Sequence, residues 1–538
     1  MEQQLKDPLG AAWLSATYGI SLMARLPVLS QIGGRRTTHW DGSFRKEIYP
    51  EAMRPTSDLV GHLQFHLRHE IPNLEFLARL FAVTGGDEIQ GWINSEPTGQ
   101  YARRAAFLFE WITGRVLAVP QKLGGNYTDV IDDALVVAAS QSKVQKVQRW
   151  RVNNNLPGTP LFCPLVLKTG PVNQAVQLDV AELFGQLTNE FGEDLLLRAA
   201  TWMTLRESKA SFAIEGEASQ LTRIQRFADV MAKRTGQDSP PLTHDSLADL
   251  QREILGPRTT LAKMGLRQSP VFVGETVRQQ EIVHYVAPPA EELEGMLEGL
   301  RVFLDRTEGQ SPVMRSSVAA FGFVYIHPLA DGNGRVHRFL VNDILRRDGV
   351  IPAPVILPIS AVITDDAGER REYTRVLDLV SKPLMQGTRD HVSFSSTRTT
   401  YPDGVASNLE FTGRNLAHPI WRYPDLSPHV VFMSNVISRT ITEQMHEESK
   451  YLRSHHRARE AVKEIVEMPD HQADRLLRSM EQGHGVLSNV LAKEMPVLTE
   501  PGVWQNIKDA VAEVYRAEDQ IDSNVIERYS PSRPAGKN

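Results

Sequence analysis

From about Ala11 to Trp150 the apolar residues recur mostly three and four positions apart, as in Leu74, Leu77 and Phe81 with Phe76 and Leu80 beside them. Alternating β-branched runs are few, so this spacing predicts a helical domain over residues 1–165. Between Val152 and Asn173 the chain gathers Pro157, Gly158, Pro160, Pro164, Gly170, Pro171 and three consecutive asparagines, which reads as linker or extended loop and holds a boundary. A second block, residues 166–395, is again mainly helical. Its one interruption is a pair of short apolar runs, Val271-Phe272-Val273-Gly274 and Ile282 to Val286, which predicts a β-hairpin. A Ser/Thr/Pro/Gly stretch from Ser395 to Gly404 precedes a third helical block, 396–529, and residues 530–538 read as a disordered tail. No repeat occurs at a fixed period.

A chain of 538 residues has room for about three domains. Hydrophobic residues at 41% and charged residues at 23% lie far from the composition of disordered chains. The formal charge of −6 supplies no overall positive field, so nucleic acid is not an expected partner. The single cysteine, Cys163, rules out an internal disulfide and a cysteine-based zinc site and suits a reducing compartment. No segment approaches the roughly 20 apolar residues of a membrane span. A soluble, cytoplasmic protein with no membrane partner is the expectation.

The chemistry concentrates in His327-Pro328-Leu329-Ala330-Asp331-Gly332-Asn333-Gly334-Arg335-Val336-His337-Arg338. Val318, Phe321, Val324 and Tyr325 repeat at helical spacing before it, and Val336, Leu340 and Ile344 after it, so it is a loop joining two helices. Pro328 ends the first helix, and the Asp-Gly-Asn-Gly core makes the tight turn that starts the second. Such a turn sets free N–H groups and the positive end of a helix dipole where a phosphate can sit. Arg335, Arg338 and Asn342 fall on a face apart from the apolar stripe, so two guanidiniums can point at one anion. Asp331 offers a hard oxygen to Mg²⁺, and His327 a side chain able to take a proton at neutral pH. An EF-hand does not fit, because Arg335, Val336 and Asn342 stand where a third ligand, the invariant glycine and the closing glutamate belong. No Walker A, H-E-x-x-H, G-x-S-x-G or complete G-x-G-x-x-G motif is present.

This segment resembles the signature H-P-F-x-[D/E]-G-N-G-R-x-x-R of the Fic (filamentation induced by cAMP) family, with Leu329 in place of the usual Phe. The resemblance covers Ser208 to Met385 and implies an all-α fold: a Fic-type helical core with a small hairpin flap between helical N- and C-terminal domains. It implies transfer of AMP from ATP to a hydroxyl of a target protein. His327 would be the general base and Asp331 the Mg²⁺ ligand, while Gly332, Asn333 and Gly334 would form the anion hole. Arg335 and Arg338 would bind the β- and γ-phosphates, with Tyr373 as an aromatic wall of the nucleotide pocket. Gly334 sets the chain apart from related kinase-like toxins, which carry Lys there. Val271, Phe272, Val273 and Gly274 resemble the flap on which an extended target segment is held by main-chain bonds.

Ser211-Phe212-Ala213-Ile214-Glu215-Gly216 resembles the family's inhibitory motif [S/T]-x-x-x-E-[G/N], in the class that carries it N-terminal to the signature. Ser211 and Glu215 are four residues apart on a helix face, and Gly216 is a natural helix terminator. In that resemblance Glu215 pairs with Arg338 and denies the γ-phosphate its anchor. Removal of AMP, use of another nucleotide donor, self-modification and a homo-oligomer remain open, as does a regulatory protein binding DNA through its C-terminal block. His62, His66 and His69 share a helix face and read as a solvated polar surface. The basic run Lys450 to Arg459 is flanked by glutamates and reads as an exposed charged helix. Tyr101 to Phe107, with Arg103 and Arg104, is reminiscent of N-terminal extensions in large relatives and reads as architecture or target recruitment.

Overall fold

Helices form where the three- and four-residue spacing predicts them in the computed structural model, which describes residues 6–41, 44–217, 219–278 and 280–529. The tail 530–538 lies outside the described residues. Two compact units are present: residues 1–181 with 204–438, and residues 182–203 with 439–538. Among the described residues no helix is long and apolar enough to cross a membrane. The chain is mainly α-helical with small sheets, as the Fic-type reading implies.

In the first unit the helices Leu59–His69, Leu74–Thr84, Asp87–Ser95 and Gln100–Thr113 close around one apolar core. Leu74–Thr84 shows why. Asn73 caps it by accepting from the Phe76 N–H at 2.8 Å, and Leu74, Phe76, Leu77, Leu80 and Phe81 are all buried. Each such side chain contributes about 1.5–3 kcal/mol by leaving water. Arg103 and Arg104 are buried and donate to backbone carbonyls, Arg103 to Arg151 and Asn126, Arg104 to Val130 and Leu67. Their role is architectural.

The histidine face is not solvated. His62 and His66 are buried: Trp13 stacks on the His62 ring at 3.8 Å, Gly10 donates to His62 Nδ1, and His66 Nδ1 meets Glu70 at 2.7 Å. The helix Gly10–Thr17 covers this face, and spacing within one helix does not reveal such a cover. The chain from Val152 to Asn173 is irregular but packed. Asn155 exchanges hydrogen bonds with the Ile131 backbone at 2.8 and 3.0 Å, and Phe162 and Cys163 are fully buried. Burial pushes the Cys163 thiol up to about 12, so it is not a reactive thiolate.

Strands also form where helix or loop was expected. Val28–Ile32, Phe44–Tyr49 and Thr37–Asp41 make a three-stranded sheet in that spatial order. Val392–Thr400 and Ala406–Phe411 pair as an antiparallel hairpin over the expected Ser/Thr/Pro/Gly loop, and Phe394 packs edge-on against Phe272 at 5.3 Å. The predicted hairpin is present and longer than its apolar runs, Phe272–Val277 paired with Gln280–Val286. In the second unit the helices His446–Ile465, Asp470–Gln482 and Val503–Tyr529 close on Ala458, Val462, Leu476, Leu477 and Ile507. The basic run lies on the first of these. It is less exposed than its charge suggests, for Ser454 and Ala458 are buried and Arg453 lies over the Phe191 ring.

Candidate active site

Two helices and the turn between them set the site. Pro312–Ile326 is buried almost throughout, with Pro312 in its first turn and Ser311 accepting from the Met314 N–H. It ends at His327, which takes a left-handed backbone (φ 50°). For a non-glycine residue this conformation is uncommon and is held by its surroundings. Arg267 does the holding: its Nε donates to the His327 carbonyl at 2.8 Å, and its other nitrogens donate to the Ser269 and Pro288 carbonyls. The His327 Nδ1 lies 3.2 Å from the Val324 carbonyl, so Nδ1 carries the proton and Nε2 keeps its lone pair. Burial, reinforced by the Arg267 charge, pushes the His327 pKa down to about 4, which keeps the ring neutral at cellular pH.

Gly332 (φ 95°) turns the chain into the helix Asn333–Arg347, whose first turn has no side-chain cap. Its leading N–H groups are therefore open to an anion. Asn333 staples the turn by donating to the Leu329 carbonyl at 2.7 Å and accepting from the Leu329 N–H at 2.9 Å. Leu329 itself is fully buried beneath the loop. Gln251, buried on the helix His244–Leu255, donates to the Asp331 carbonyl at 2.9 Å. The Asp331 carboxylate stays 54% exposed, with Arg335 3.3 Å away.

Both arginines are buried and meet Glu215. Arg335 Nε donates to Glu215 Oε2 at 3.0 Å. Arg338 Nη2 donates to Glu215 Oε1 at 2.5 Å, and its Nε to Ser211 Oγ at 2.6 Å. The helix Glu193–Ile214 delivers this pair and stops at Gly216 (φ 77°), where Glu217 N–H donates to the Phe212 carbonyl and Gly216 N–H to that of Ala213. That is a Schellman ending, and it turns Glu215 out toward the arginines. Burial alone would raise the Glu215 pKa, but Arg338 and Arg335 outweigh it and hold the carboxyl below its usual range. A Cβ at Gly334 would fall 2.3 Å from Glu215 Oε1, so a larger residue there would displace the carboxylate from the arginines.

Tyr373 is buried against Phe321, His337 and Phe432, with its hydroxyl beside the Arg338 guanidinium. Asn342 does not join the arginines; it exchanges hydrogen bonds with the Leu357 backbone at 2.8 and 3.2 Å. The hairpin presents Val273 and Ile282, 42% and 41% exposed, along its outer face. Gly274 is confined there, its absent Cβ replaced by the Ile282 carbonyl. Arg267, Gln251 and the buried Glu207, which accepts from the Ser360 N–H and hydroxyl, carry no sequence signature. Glu207 is pushed up to about 7 by burial, against the Ser360 hydrogen bonds.

The donor set around Asp331 offers no closed metal cage, and among the described residues no cluster of three or more ligating side chains occurs. One exposed carboxylate beside an anion-binding helix start does fit Mg²⁺, which commonly takes one or two carboxylates together with substrate phosphates.

Residues 241–345 match the model of the Fic/DOC family. A protein adenylyltransferase fic-1 of Caenorhabditis briggsae is 32% identical over 151 residues, which is 26% of this chain and 28% of the relative. A protein adenylyltransferase Fic of Nematostella vectensis is 31% identical over 118 residues, 22% of this chain and 26% of the relative. The chain thus spans about a quarter of the length of these curated relatives. A crystal structure of a Fic family protein from Desulfovibrio desulfuricans G20 aligns with 55% of this chain and 80% of its own, at 20% identity and a TM-score of 0.36. The signature His327 to Arg338 lies inside the segment that matches the Fic/DOC family, so residues 241–345 carry a domain of that type.

Proposed function

We propose that the chain is an autoinhibited protein adenylyltransferase, moving AMP from ATP to a Ser, Thr or Tyr hydroxyl of a target protein. The observation that carries this reading is the convergence, at one uncapped helix start, of a neutral His327 with two buried arginines already occupied by a carboxylate. The names of the relatives, protein adenylyltransferase, point the same way. The target hydroxyl gives its proton to His327 Nε2 while its oxygen bonds to the α-phosphorus. The bond from that phosphorus to the bridging oxygen breaks, and pyrophosphate leaves. Gly332, Asn333 and Gly334 cradle phosphate oxygens with their N–H groups, and Arg335 and Arg338 hold the β- and γ-phosphates. Tyr373 backs Arg338 and bounds the nucleotide pocket. Asp331 would hold Mg²⁺, which neutralises phosphate charge when bound. Val271, Phe272, Val273 and Gly274 form the edge on which the target segment is laid.

Glu215 is the brake. While it accepts from both guanidiniums, with Ser211 holding Arg338 and Gly216 setting the turn, a γ-phosphate has no free arginine and the α-phosphate is not aligned. Self-modification is a natural readout, and a reducing, ATP-supplied cytoplasm suits a single buried thiol.

The test is transfer of label from α-³²P-ATP with Mg²⁺ to the protein itself and to a lysate, for wild type, Glu215→Gly and Glu215→Gly/His327→Ala. Label should rise at least about tenfold in the single variant. Loss of a general base typically costs about 10²–10⁴-fold, so it should fall to background in the double variant. Absence of label from all three overturns the assignment.

A further inference from the structure

Arg267 is a cation spent on main-chain carbonyls. It is 1% exposed, and burial lowers its pKa only to about 10, so a full positive charge is held inside the fold. Its Nε donates to the His327 carbonyl at 2.8 Å, Nη1 to the Ser269 carbonyl at 2.8 Å and Nη2 to the Pro288 carbonyl at 2.5 Å. Among the described residues no carboxylate bonds to it.

Burying a charge away from a counter-charge is costly, and a methionine would fill the same space without that cost. An apolar side chain cannot, however, hold three carbonyls at once. The guanidinium is planar and rigid, so carbonyls bonded to its three nitrogens keep fixed positions relative to one another.

The identity of those carbonyls gives the arrangement its meaning. Ser269 lies just before the strand Phe272–Val277 and Pro288 just after its partner Gln280–Val286, so they are the two feet of the hairpin. The Ala287 N–H closes the hairpin between them on the Val271 carbonyl at 3.1 Å. The third carbonyl belongs to His327, whose left-handed backbone (φ 50°) aims the ring. Other ties run alongside: the Arg267 N–H donates to the Pro328 carbonyl at 2.9 Å, Leu266 bridges Leu329, and the Tyr285 hydroxyl donates to the Tyr325 carbonyl at 2.5 Å. These keep the hairpin beside the motif turn, while the guanidinium sets the direction of the His327 peptide itself.

We propose that Arg267 is a positioning residue that registers the target-docking hairpin against the base, one guanidinium fixing the hairpin's two feet and the His327 backbone relative to one another. Transfer requires the acceptor hydroxyl within hydrogen-bond reach of Nε2, and a misplacement of about 1 Å can cost roughly 100-fold in rate. That catalytic consequence rests on the adenylyltransferase reading; the mechanical tie does not.

The test uses the full chain as Glu215→Gly, alone and combined with Arg267→Met or Arg267→Lys. Label transfer from α-³²P-ATP with Mg²⁺ is measured beside calorimetric affinity for α,β-methylene-ATP, whose α–β bridge transfer cannot break. Amide exchange is followed at the hairpin feet, 268–274 and 284–288, and at the motif turn, 326–331, with melting as the folding control. In Arg267→Met both segments should exchange faster together, and label transfer should fall at least about tenfold while affinity for the analogue stays within about twofold. Arg267→Lys keeps the charge without the planar fork and should lie nearer to Met than to Arg; where the Met variant does not fold, it carries the same comparison. Undiminished label transfer overturns the proposal, as does an equal loss of label and analogue binding, which is the mark of a merely structural role. So does full recovery by Lys, or faster exchange confined to the hairpin. Absence of label from Glu215→Gly itself removes the adenylyltransferase reading, and exchange then decides the tie alone: coupled exchange upholds it and uncoupled exchange overturns it.

Discussion

Arg338 makes two kinds of bond that differ in what their loss would do. Glu215 neutralises its charge at a carboxylate still 25% exposed, whereas Ser211 satisfies a guanidinium N–H deep in the fold. Ser211→Ala therefore orphans a buried donor and should lower unfolding stability by about 1–3 kcal/mol in urea titration, with a smaller rise in labelling than Glu215→Gly gives. A stability equal to wild type would remove Ser211 from the clamp. His327 yields a second expectation. With its pKa lowered to about 4, the ring keeps its accepting lone pair well below the usual histidine midpoint near 6.5. Label transfer by Glu215→Gly should stay level from pH 8 to about 5 and fall only toward pH 4; a fall centred near pH 6.5 would show that burial and Arg267 do not govern this ring. The motif residues were legible because their chemistry is packed into consecutive positions. Pairing of Glu215 with Arg338, 123 residues away, was reached through the family resemblance alone. Arg267 and Gln251 act on backbone carbonyls, and nothing in a sequence marks the residue that will reach a distant carbonyl.

Elements differ in legibility for reasons of length and cover. Long helices such as Pro312–Ile326 and Asn333–Arg347 repeat their period several times, so spacing alone places them. Thr128–Asp129 is too short for alternation to show, and Val392–Thr400 is Ser/Thr-rich, mostly exposed and strand-like chiefly because it has a partner. His62 and His66 were misjudged because the residues that bury them come from another helix. The hairpin was found, but its anchor was not. Asp403 lies in the turn between the later two strands, where Oδ2 accepts from the Gln268 and Ser269 N–H groups and the Ser269 hydroxyl, and Oδ1 from the Val405 N–H. These bonds tie the chain entering Phe272–Val277 to the turn that closes Val392–Thr400. Asp403→Ala should cost about 2–4 kcal/mol by leaving several buried donors unpaired, and should speed amide exchange across residues 268–286. Unchanged exchange there would show that the hairpin is held from elsewhere.

At the scale of the first unit, buried titratable groups set how stability follows pH. Burial lowers His62, His327 and His337 to about 4 and His429 to about 3. Once unfolded, each would titrate near 6.5. Between those values the unfolded chain takes up protons that the folded unit refuses, so stability must fall as pH drops from about 6.5 toward 4. Glu207 works the other way. Raised to about 7, it is protonated in the folded unit over the interval from 7 to 4.5 where the unfolded chain is not, and acid there favours the fold. Asp343 and Asp425, also raised by burial, act in the sense of Glu207, and His69, lowered by burial, acts with the other imidazoles. The four large imidazole shifts outweigh the one large carboxyl shift, so the histidines prevail. Below about 4.5 a further loss begins at Glu292, where burial would raise the pKa but hydrogen bonds from His418 and Arg422 hold it at about 2; its stabilisation is complete above 4.5 and disappears as pH falls through 2. Urea midpoints measured from pH 8 to 4 should therefore be nearly level above 7 and decline steadily below 6.5. His429→Phe, which removes the most depressed of the four, should make that decline shallower. A midpoint that stays flat from pH 7 to 4.5 would mean that the buried rings take up protons in the folded unit, in conflict with the packing of His429 between Phe321 and Tyr325.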